Sequence, residues 1–327
     1  MEYPKISIVM PVYNEENKIE ACLCSIRNQD YPQENIEIVL VDDDSTDKTL
    51  EIARNFNVKI IKNGRRDYDI GKSLGIKNSS NEYIIFLDAD NILPSMDWFN
   101  KMIKPFQKNL DIIGAQPIWF TYNKKDKLAD RYATLFGITD PTTIYFKKRD
   151  RLMLIEKKWN LIKNYEEIDN FFLVEFNTDN LPTIGSVGFI TKKEHLLKTN
   201  YDPAFSHLDC VYDLVKQGYT NFAMVKLDIV HLHADTVKFF IDKLRRNMKI
   251  YIRDHKKRRY IWKVSLFTFI FGTLAMLTFI VPFYHSFRGY LKIKDNAWLL
   301  HPYICFRVAW MYILLTLNWK INELFEC

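Results

Sequence analysis

A short apolar run followed by a stretch with apolar residues on one helical face occurs four times in the first 90 residues. The apolar runs predict buried strands at Lys5–Tyr13, Ile36–Val41, Val58–Lys62 and Tyr83–Leu87. Strands that alternate with helices favour a parallel sheet with helices on both faces. We therefore expect an α/β fold, with a doubly wound, mostly parallel sheet and flanking helices.

The pattern is less regular after residue 110. The segments DIIGAQPIWF and PTIGSVGFI predict further strands, and NFAMVKLDIVHLHAD predicts one or two more. LDCVYDLVKQG has its apolar residues on one helical face, and Gly218 is a typical helix stop. Residues 121 to 182 are charged and aromatic, and we interpret them as an inserted or variable region.

Polar and acidic residues follow three of the early strands: Asn14–Glu16, Asp42–Asp44, and Asp88 with Asp90. Ligands of such sheets bind outside the carboxyl ends of the strands. Strand alternation would point the Asp88 and Asp90 carboxylates in the same direction. Such a pair suits Mg²⁺ or Mn²⁺, which proteins hold with one or two carboxylates plus substrate phosphates. The alternative is a helix cap or a solvated turn.

Three residues near the end of the predicted sheet extend this site. His231 and His233 lie on one side of a predicted strand, and either could complete the metal site. A pair of half-buried strand histidines is the alternative. Asp209 begins a predicted helix, where it could be a general base or an acid favoured by the helix dipole. The residues alone leave both alternatives open.

The C-terminal part of the chain is apolar. Residues 264–287 carry no charge, and their 24 residues exceed the ~20 that cross a bilayer. A second stretch, Ala297–Trp319, contains His301, Pro302 and Arg307, and an arginine near the bilayer centre is costly. This second stretch is either a returning span or a helix lying in the interface. We therefore predict one or two transmembrane helices.

The net charge of +6 comes largely from a basic segment, Arg253–Lys263, before the first apolar stretch. Basic residues that flank a span stay in the cytoplasm and attract anionic headgroups. We therefore expect membrane lipids as partners, no nucleic acid, and a location at the cell membrane. The predicted domains are a cytoplasmic catalytic domain (1–252), a basic juxtamembrane segment (253–263) and a membrane region (264–327).

Two nucleotide-binding motifs are excluded. Gly71–Lys72–Ser73 lacks the glycine that a phosphate-binding loop needs five positions earlier, where Arg66 stands. No G-x-G-x-x-G follows the first strand.

Six segments, in order, resemble the family 2 glycosyltransferases, which are inverting enzymes of the GT-A fold. They are SIVMPVYNEENKIEACLCSIRNQDYP, IEIVLVDDDSTDKT, GKSLGI, YIIFLDADNILP, GSVGFITKKEHL and HLDCVYDLVKQGY. The resemblance covers about residues 5 to 260.

The resemblance implies a role for each matching residue. Pro11, Tyr13 and Glu15 would line the nucleoside pocket, and Asp42 would bind the base or the ribose. Lys72 would lie near the nucleotide, Asp88 would bind ribose and metal, and Asp90 would bind the metal. Asp209 would deprotonate the acceptor. The cofactor would be Mn²⁺ or Mg²⁺. The donor would be a UDP- or GDP-sugar.

The chain departs from the family pattern at a few positions. Leu208 precedes Asp209 where the family often has glutamate, Asp44 stands where glycine is common, and Ser73 stands where asparagine is common. There is no Q-x-x-R-W segment, which argues against a processive polymerase. We expect transfer of a single sugar to a lipid-linked acceptor, either a polyprenyl phosphate or a lipid-linked glycan. The alternatives are a nucleotidyltransferase and an inactive membrane scaffold of the same fold.

Overall fold

The computed structural model describes residues 3–108, 111–162 and 165–325. The chain forms two compact units. The first contains the residues up to Thr121 together with Ile162–His231, and the second contains Tyr122–Leu161 and the residues from Leu232 onward. The predicted boundary at residue 252 falls inside a helix of the second unit, Val237–Asp254.

The first unit is built on one mixed sheet. Its strands are β1 (Ile6–Val12), β2 (Ile36–Asp42), β3 (Lys59–Lys62), β4 (Tyr83–Phe86), β5 (Asn91–Ile92), β6 (Gly114–Phe120), β7 (Tyr165–Ile168), β8 (Phe171–Glu175), β9 (Phe189–Lys192) and β10 (Asn221–His231). The strand order is β3-β2-β1-β4-β9-β6-β10-β8-β7, and β5 pairs with β10.

The helices are distributed over both units. The first unit has α1 (Ile19–Arg27), α2 (Thr49–Ala53), α3 (Tyr68–Asn78), α4 (Trp98–Lys108), α7 (Lys193–Leu196) and α8 (His207–Lys216). The second unit has α5 (Leu128–Phe136), α6 (Thr142–Tyr145), α9 (Val237–Asp254), α10 (Leu266–Leu277), α11 (Ile280–Lys292) and α12 (His301–Phe325).

The predicted α/β architecture with flanking helices is confirmed, and the strand directions refine it. β1, β2, β3 and β4 are parallel, as the alternation of strands and helices predicted. β9 runs antiparallel to both β4 and β6, so the sheet is mixed beyond its N-terminal half. Residues 182–188, which we expected in a strand, form a loop in which Gly185 and Gly188 have positive φ.

Close packing of α3 on β1 fixes the position of the helix that carries Lys72. A Cβ at Gly75 would lie 2.4 Å from Val9 Cγ1, so no larger residue fits there without movement. On another side of the sheet, the apolar face of α1 supplies Ile19, Leu23 and Ile26 to the main core. The β1 strand is buried along its whole length, as its uninterrupted apolar run indicated.

The second unit has its own core, in which Tyr132 and Phe136 of α5 meet Phe240, Trp298 and Val308. The apolar stretch 264–287 is not the single helix we expected, because α10 and α11 are bent by 69° at a break where Phe279 has a φ of 64°. Among the described residues, the one continuous helix long and apolar enough to cross a membrane is Asn296–Glu323, which has 28 residues.

Candidate active site

The two carboxylates of the D-x-D segment stand in a turn organised by Asn91. β4 ends at Phe86, so strand alternation does not set the directions of Asp88 and Asp90, and this part of the sequence argument is wrong. The Asp88 amide donates to Asn91 Oδ1 (2.9 Å), and the Asn91 amide donates to the Asp88 carbonyl (2.9 Å). Asn91 Nδ2 donates to Asp90 Oδ1 (2.8 Å). Fully buried Asn91 therefore holds both acidic residues.

Asn91 also brings the turn to the end of β10. In the short β5–β10 ladder, Asn91 is the direct partner of His231. His231 Nε2 lies 3.6 Å from Asp90 Oδ2, and both side chains are largely buried. His233 belongs to the second unit, where its Nδ1 accepts a 3.1 Å hydrogen bond from the ammonium of Lys243. Of the two predicted histidines, the structure brings His231 to Asp90.

The Asp90–His231 pair is compatible with a divalent cation. Ion-to-donor distances of about 2.1 Å allow two donors on one ion to be up to about 4.2 Å apart, and the 3.6 Å separation falls within this limit. The described residues contain no cluster of three or more His, Cys, Asp or Glu that could hold a metal. The remaining donors would therefore come from substrate phosphates and water, which is usual for Mg²⁺.

The other carboxylate of the turn contacts the start of α3. Asp88 Oδ1 accepts a 2.6 Å hydrogen bond from the hydroxyl of Tyr68, the first residue of that helix. The helix starts there because the Asp67 side chain caps it, accepting from the amides of Asp69 and Ile70. The D-x-D turn and the start of α3 therefore form one continuous surface.

Lys72 lies one turn further along α3 and is fully buried. Its ammonium is 4.3 Å from the centre of the Tyr68 ring and 5.4 Å from that of Phe86. Burial lowers the pKa of Lys72, and the carboxylates of Asp88, Asp69 and Asp90 oppose this shift. Buried charges in proteins are usually compensated, and these three carboxylates provide negative charge near the Lys72 ammonium.

The adjacent ends of β1 and β2 carry the predicted nucleoside residues. Val12 and Asp42 are direct partners in the parallel ladder, which places Tyr13 beside the loop after β2. The buried Asp42 carboxylate accepts from the Ser45 amide (3.2 Å). Burial raises the pKa of its neighbour Asp43, and a hydrogen bond from Asn63 opposes that shift.

Tyr13 presents an exposed aromatic face at this edge of the sheet. Its side chain is 44% exposed, and the guanidinium carbon of Arg66 lies 5.3 Å from its ring centre. The Glu15 amide donates to Thr49 Oγ1 (2.7 Å), which fixes the loop that follows. Pro11 is buried in β1 and packs close to Gly71 of α3. A stacking surface and a cation therefore lie together.

The segment before Asp209 lies on the same surface as Asp88. The Phe205 amide donates to the Asp69 carbonyl (2.8 Å), and the Phe205 ring stacks on Phe86 at 4.6 Å. Ser206 caps α8, its hydroxyl accepting from the Asp209 amide (3.5 Å). Asp209 is thus in the first turn of α8, where it is 3% exposed.

The glycine loop between β8 and β9 contacts both the end of β4 and the start of α8. The Gly188 amide donates to the carbonyl of Phe86 (2.8 Å). A Cβ at Gly185 would lie 3.0 Å from Val211 Cγ2 and 3.4 Å from His207, both in α8. The glycine loop therefore contacts both Phe86, at the end of β4, and the start of α8, the helix that carries Asp209.

The sequence analysis did not predict three residues of the candidate site. Asn91 directly follows the D-x-D segment, and a buried amide after two acids was a usable signal. Tyr68 follows the capping residue Asp67, but its contact with Asp88 joins residues 20 apart and leaves no local pattern. Arg66 was considered only as the residue that excludes a phosphate-binding loop.

Comparison with known proteins is consistent with this geometry. Residues 7–168 match the family described as Glycosyl transferase family 2. Glycosyltransferase AglE of Haloferax volcanii is 32% identical over 136 residues, which are 39% of this chain and 44% of that protein. An enzyme of Methanococcus voltae is 39% identical over 110 residues, which cover 32% of this chain and 34% of that enzyme. Its name is dolichyl N-acetyl-alpha-D-glucosaminyl phosphate 3-beta-D-2,3-diacetamido-2,3-dideoxy-beta-D-glucuronosyltransferase. The matches span less than half of either relative.

A solved structure shares the fold. It is the mannosyltransferase PcManGT from Pyrobaculum calidifontis in complex with GDP-Man and Mn²⁺, with a TM-score of 0.52 at 15% identity, covering 96% of this chain and 88% of that one. This likeness supports the predicted α/β architecture of the GT-A type.

Proposed function

We propose that this chain, whose residues 7–168 match glycosyltransferase family 2, transfers a single sugar from a UDP- or GDP-sugar to a lipid-linked acceptor with inversion. The family resemblance found in the sequence is confirmed. The main structural support for the finer proposal is the pairing of Asp90 with His231 beside the turn at Asp88. The role proposed for Asp209 is supported by the glycine loop, which contacts both Phe86 at the end of β4 and the start of α8.

The donor nucleotide would bind along the ends of β1 and β2. Tyr13 offers a face on which a base can stack, and Arg66 lies over the same ring. Asp42 would accept from the base or ribose. Lys72 would neutralise part of the diphosphate charge, because its buried ammonium lies next to Tyr68 and the Asp88 turn.

Asp90 and His231 would hold the divalent cation, with Asp88 shared between cation and ribose. A bound Mn²⁺ or Mg²⁺ stabilises negative charge on a leaving diphosphate. Asn91 would keep the Asp90 carboxylate in place, since its amide group donates to Asp90 Oδ1. His233, paired with Lys243, remains a predicted ligand with less support.

Asp209 would act as the general base. Its carboxylate takes the proton of the acceptor hydroxyl, the acceptor oxygen bonds to the anomeric carbon, and the bond from that carbon to the diphosphate breaks on the opposite face. Such a base typically contributes ~10²–10⁴-fold. An acceptor phosphate is already ionised, and in that case Asp209 would contribute less.

A groove in the second unit supports a lipid acceptor with a phosphate group. It lies between α9 and α12 and is lined by Arg245, Arg307, Trp310 and Leu314, together with Ile241, Met311 and Leu315. Guanidinium groups suit phosphate, and the apolar side chains suit a hydrocarbon chain. The dolichyl phosphate in the name of the Methanococcus voltae relative has this chemistry. We propose that the protein acts at the cytoplasmic face of the cell membrane.

The test is donor breakdown and transfer with purified full-length protein. A panel of nucleotide-sugars with Mn²⁺ should include at least one that releases nucleoside diphosphate, and Asp90→Asn should lose this release. No release from any donor would favour the scaffold, and release of pyrophosphate from a nucleoside triphosphate with a sugar phosphate would favour the nucleotidyltransferase. Equal transfer to water-soluble and polyprenyl acceptors would contradict a lipid acceptor.

A further inference from the structure

The helices α10 and α11 carry many exposed apolar side chains. Leu266, Phe267, Phe271, Ile280, Phe283 and Phe287 are each between 53% and 74% exposed. Isolated apolar residues are normal on protein surfaces, but a continuous apolar surface marks a binding site or a membrane contact. The exposed residues recur along both helices, so this surface needs a partner.

The opposite sides of these helices are fixed within the second unit. A Cβ at Gly272 of α10 would lie 2.9 Å from the ring of Phe146, and one at Gly289 of α11 would lie 2.3 Å from the ring of Trp298. Contacts this close occupy one side of each helix. The exposed apolar sides cannot turn inward without breaking them.

Neither helix crosses a bilayer by itself. With a rise of about 1.5 Å per residue, the 12 residues of α10 and 13 of α11 reach roughly 18 and 20 Å, against ~30 Å of hydrocarbon. The two together would have to form one bent span. In that span, which would run from Leu266 to Lys292, Gly272 would lie about 9 Å inside the end at Leu266, since it is six residues further along a helix that rises about 1.5 Å per residue. Gly272 packs on Tyr145 and Phe146.

The charged neighbours of Gly272 argue against a bent span. The residues directly after Phe146 are Lys147, Lys148, Arg149, Asp150 and Arg151. Arg149 is held there by a 3.0 Å ion pair with Glu156. A span through Gly272 would therefore carry this charged segment into the hydrocarbon, where charges are strongly disfavoured.

The helix α12 also packs beside a helix with charged side chains, α9. Arg245 of α9 lines the same groove as Arg307 and Leu314 of α12. One end of α9 stays beside α12, because the His255 ring lies 4.5 Å from that of Trp319 and 3.8 Å from Glu323. α9 thus runs along α12 with its exposed Arg245, Arg246, Lys249 and Arg253. If α12 crossed the bilayer, these cations would lie in its hydrocarbon region.

We infer that the second unit is monotopic: the exposed apolar faces of α10 and α11 enter one leaflet of an anionic bilayer, and no helix of residues 165–325 crosses it. Lys256, Lys257 and Lys263 are exposed before α10, and Arg288 and Lys292 are exposed near the end of α11. Cations on both flanks of an apolar face match the headgroups of anionic lipids. This inference does not depend on the glycosyltransferase activity.

Labelling from the two sides of the membrane tests the topology. Cys24 is replaced by serine, and the buried Cys22, Cys210 and Cys305 stay. One reporter cysteine is then used at a time: Lys257→Cys before the α10–α11 pair or Lys294→Cys after it, each with Cys327→Ser, or the native Cys327 after α12. A membrane-impermeant maleimide should label all three positions in inside-out vesicles and none in right-side-out vesicles. Labelling of any two positions from opposite sides would overturn the inference.

Sedimentation with phosphatidylcholine–phosphatidylglycerol vesicles tests the contact surface. The double variant Phe267→Glu, Phe283→Glu should bind less by roughly tenfold or more, because two apolar side chains no longer enter the leaflet. Leu197→Glu is the matched control, since Leu197 is 56% exposed on α7's C-terminal end in the first unit. Thermal unfolding confirms that each variant is folded. Undiminished binding of the folded double variant would contradict the proposed surface.

Discussion

Asn91 connects the acidic turn to the strand that carries His231. Its side chain accepts from Asp88 and donates to Asp90, and its backbone pairs with His231. Three residues of the candidate site therefore contact Asn91, two of them through its side-chain amide group. In such an arrangement, loss of the amide should affect cation binding more than nucleotide binding.

Asn91→Ala should raise the Mn²⁺ concentration needed for half-maximal donor breakdown. The variant also leaves the buried Asp88 amide without its acceptor, which costs about 1–3 kcal/mol of stability. A Mn²⁺ titration of activity, beside thermal unfolding, separates the two effects. The control is Asn100→Ala, since Asn100 donates to the Asp30 carbonyl and not to the acidic turn. An unchanged Mn²⁺ requirement would mean that Asn91 has only a structural role.

Lys72→Met should weaken binding of the nucleoside diphosphate while stabilising the free protein. Burial lowers the folded-state pKa of Lys72, so between that pKa and its ordinary value the unfolded chain binds more protons. The free energy of unfolding therefore rises as the pH rises from the folded-state pKa of Lys72 to its ordinary pKa, and it falls again as the pH is lowered through the same range. The methionine variant lacks this dependence.

Thermal unfolding between pH 7 and pH 10 and nucleotide titration would measure both effects. Lys77→Met is the control, because Lys77 is on the same helix but pairs with Asp202 at the surface. A methionine variant that binds nucleotide normally would remove Lys72 from the proposed donor site.

Among the helices, α9 and α12 carry the groove proposed for the acceptor. Arg307→Leu should raise the KM for a polyprenyl phosphate acceptor by roughly tenfold, since it removes a charged hydrogen-bond donor to phosphate. Donor breakdown without acceptor should not change. Arg246→Leu is the control, because Arg246 is on α9 but does not line this groove. Steady-state kinetics with varied acceptor would show the difference, and equal KM values would argue against the groove.

The same helices show where sequence reasoning stops. Hydropathy predicted the strands β1, β2 and β4 because each is a local apolar run that is buried on both faces. Hydropathy did not reveal the break between α10 and α11, because a change of direction at Phe279 leaves composition unaltered. It also ranked residues 264–287 above α12 as a continuous span, whereas the structure has the longer helix in α12.

At the scale of the whole molecule, the site residues come from distant parts of the chain. The roles proposed for the D-x-D segment, Lys72 and Asp209 come from short patterns in a family order, and they remain predictions. The contact of Phe205 with Asp69, and the pairing of His231 with Asn91, join residues more than 100 positions apart. Such pairings arise from sheet order, which local periodicity does not encode.

A nucleoside diphosphate with Mn²⁺ should raise the thermal midpoint of the whole protein. A ligand present at 100 times its Kd stabilises the folded state by about 2.7 kcal/mol. In Asp90→Asn, nucleotide should still stabilise the protein, but added Mn²⁺ should have little further effect. The measurement is thermal unfolding with nucleotide alone, Mn²⁺ alone and both. Equal Mn²⁺ dependence in the variant and the native protein would exclude Asp90 as a ligand.

The second unit is assembled from two separate parts of the chain, Tyr122–Leu161 and the residues from Leu232 onward. A chain shortened at residue 252 would keep α5 and lose α12. Phe136, whose ring lies 4.6 Å from that of Trp298 and 4.0 Å from that of His301, would then face water. We therefore expect a protein without its C-terminal helices to aggregate. Polar substitutions on the exposed faces of α10 and α11 should increase solubility without exposing this core.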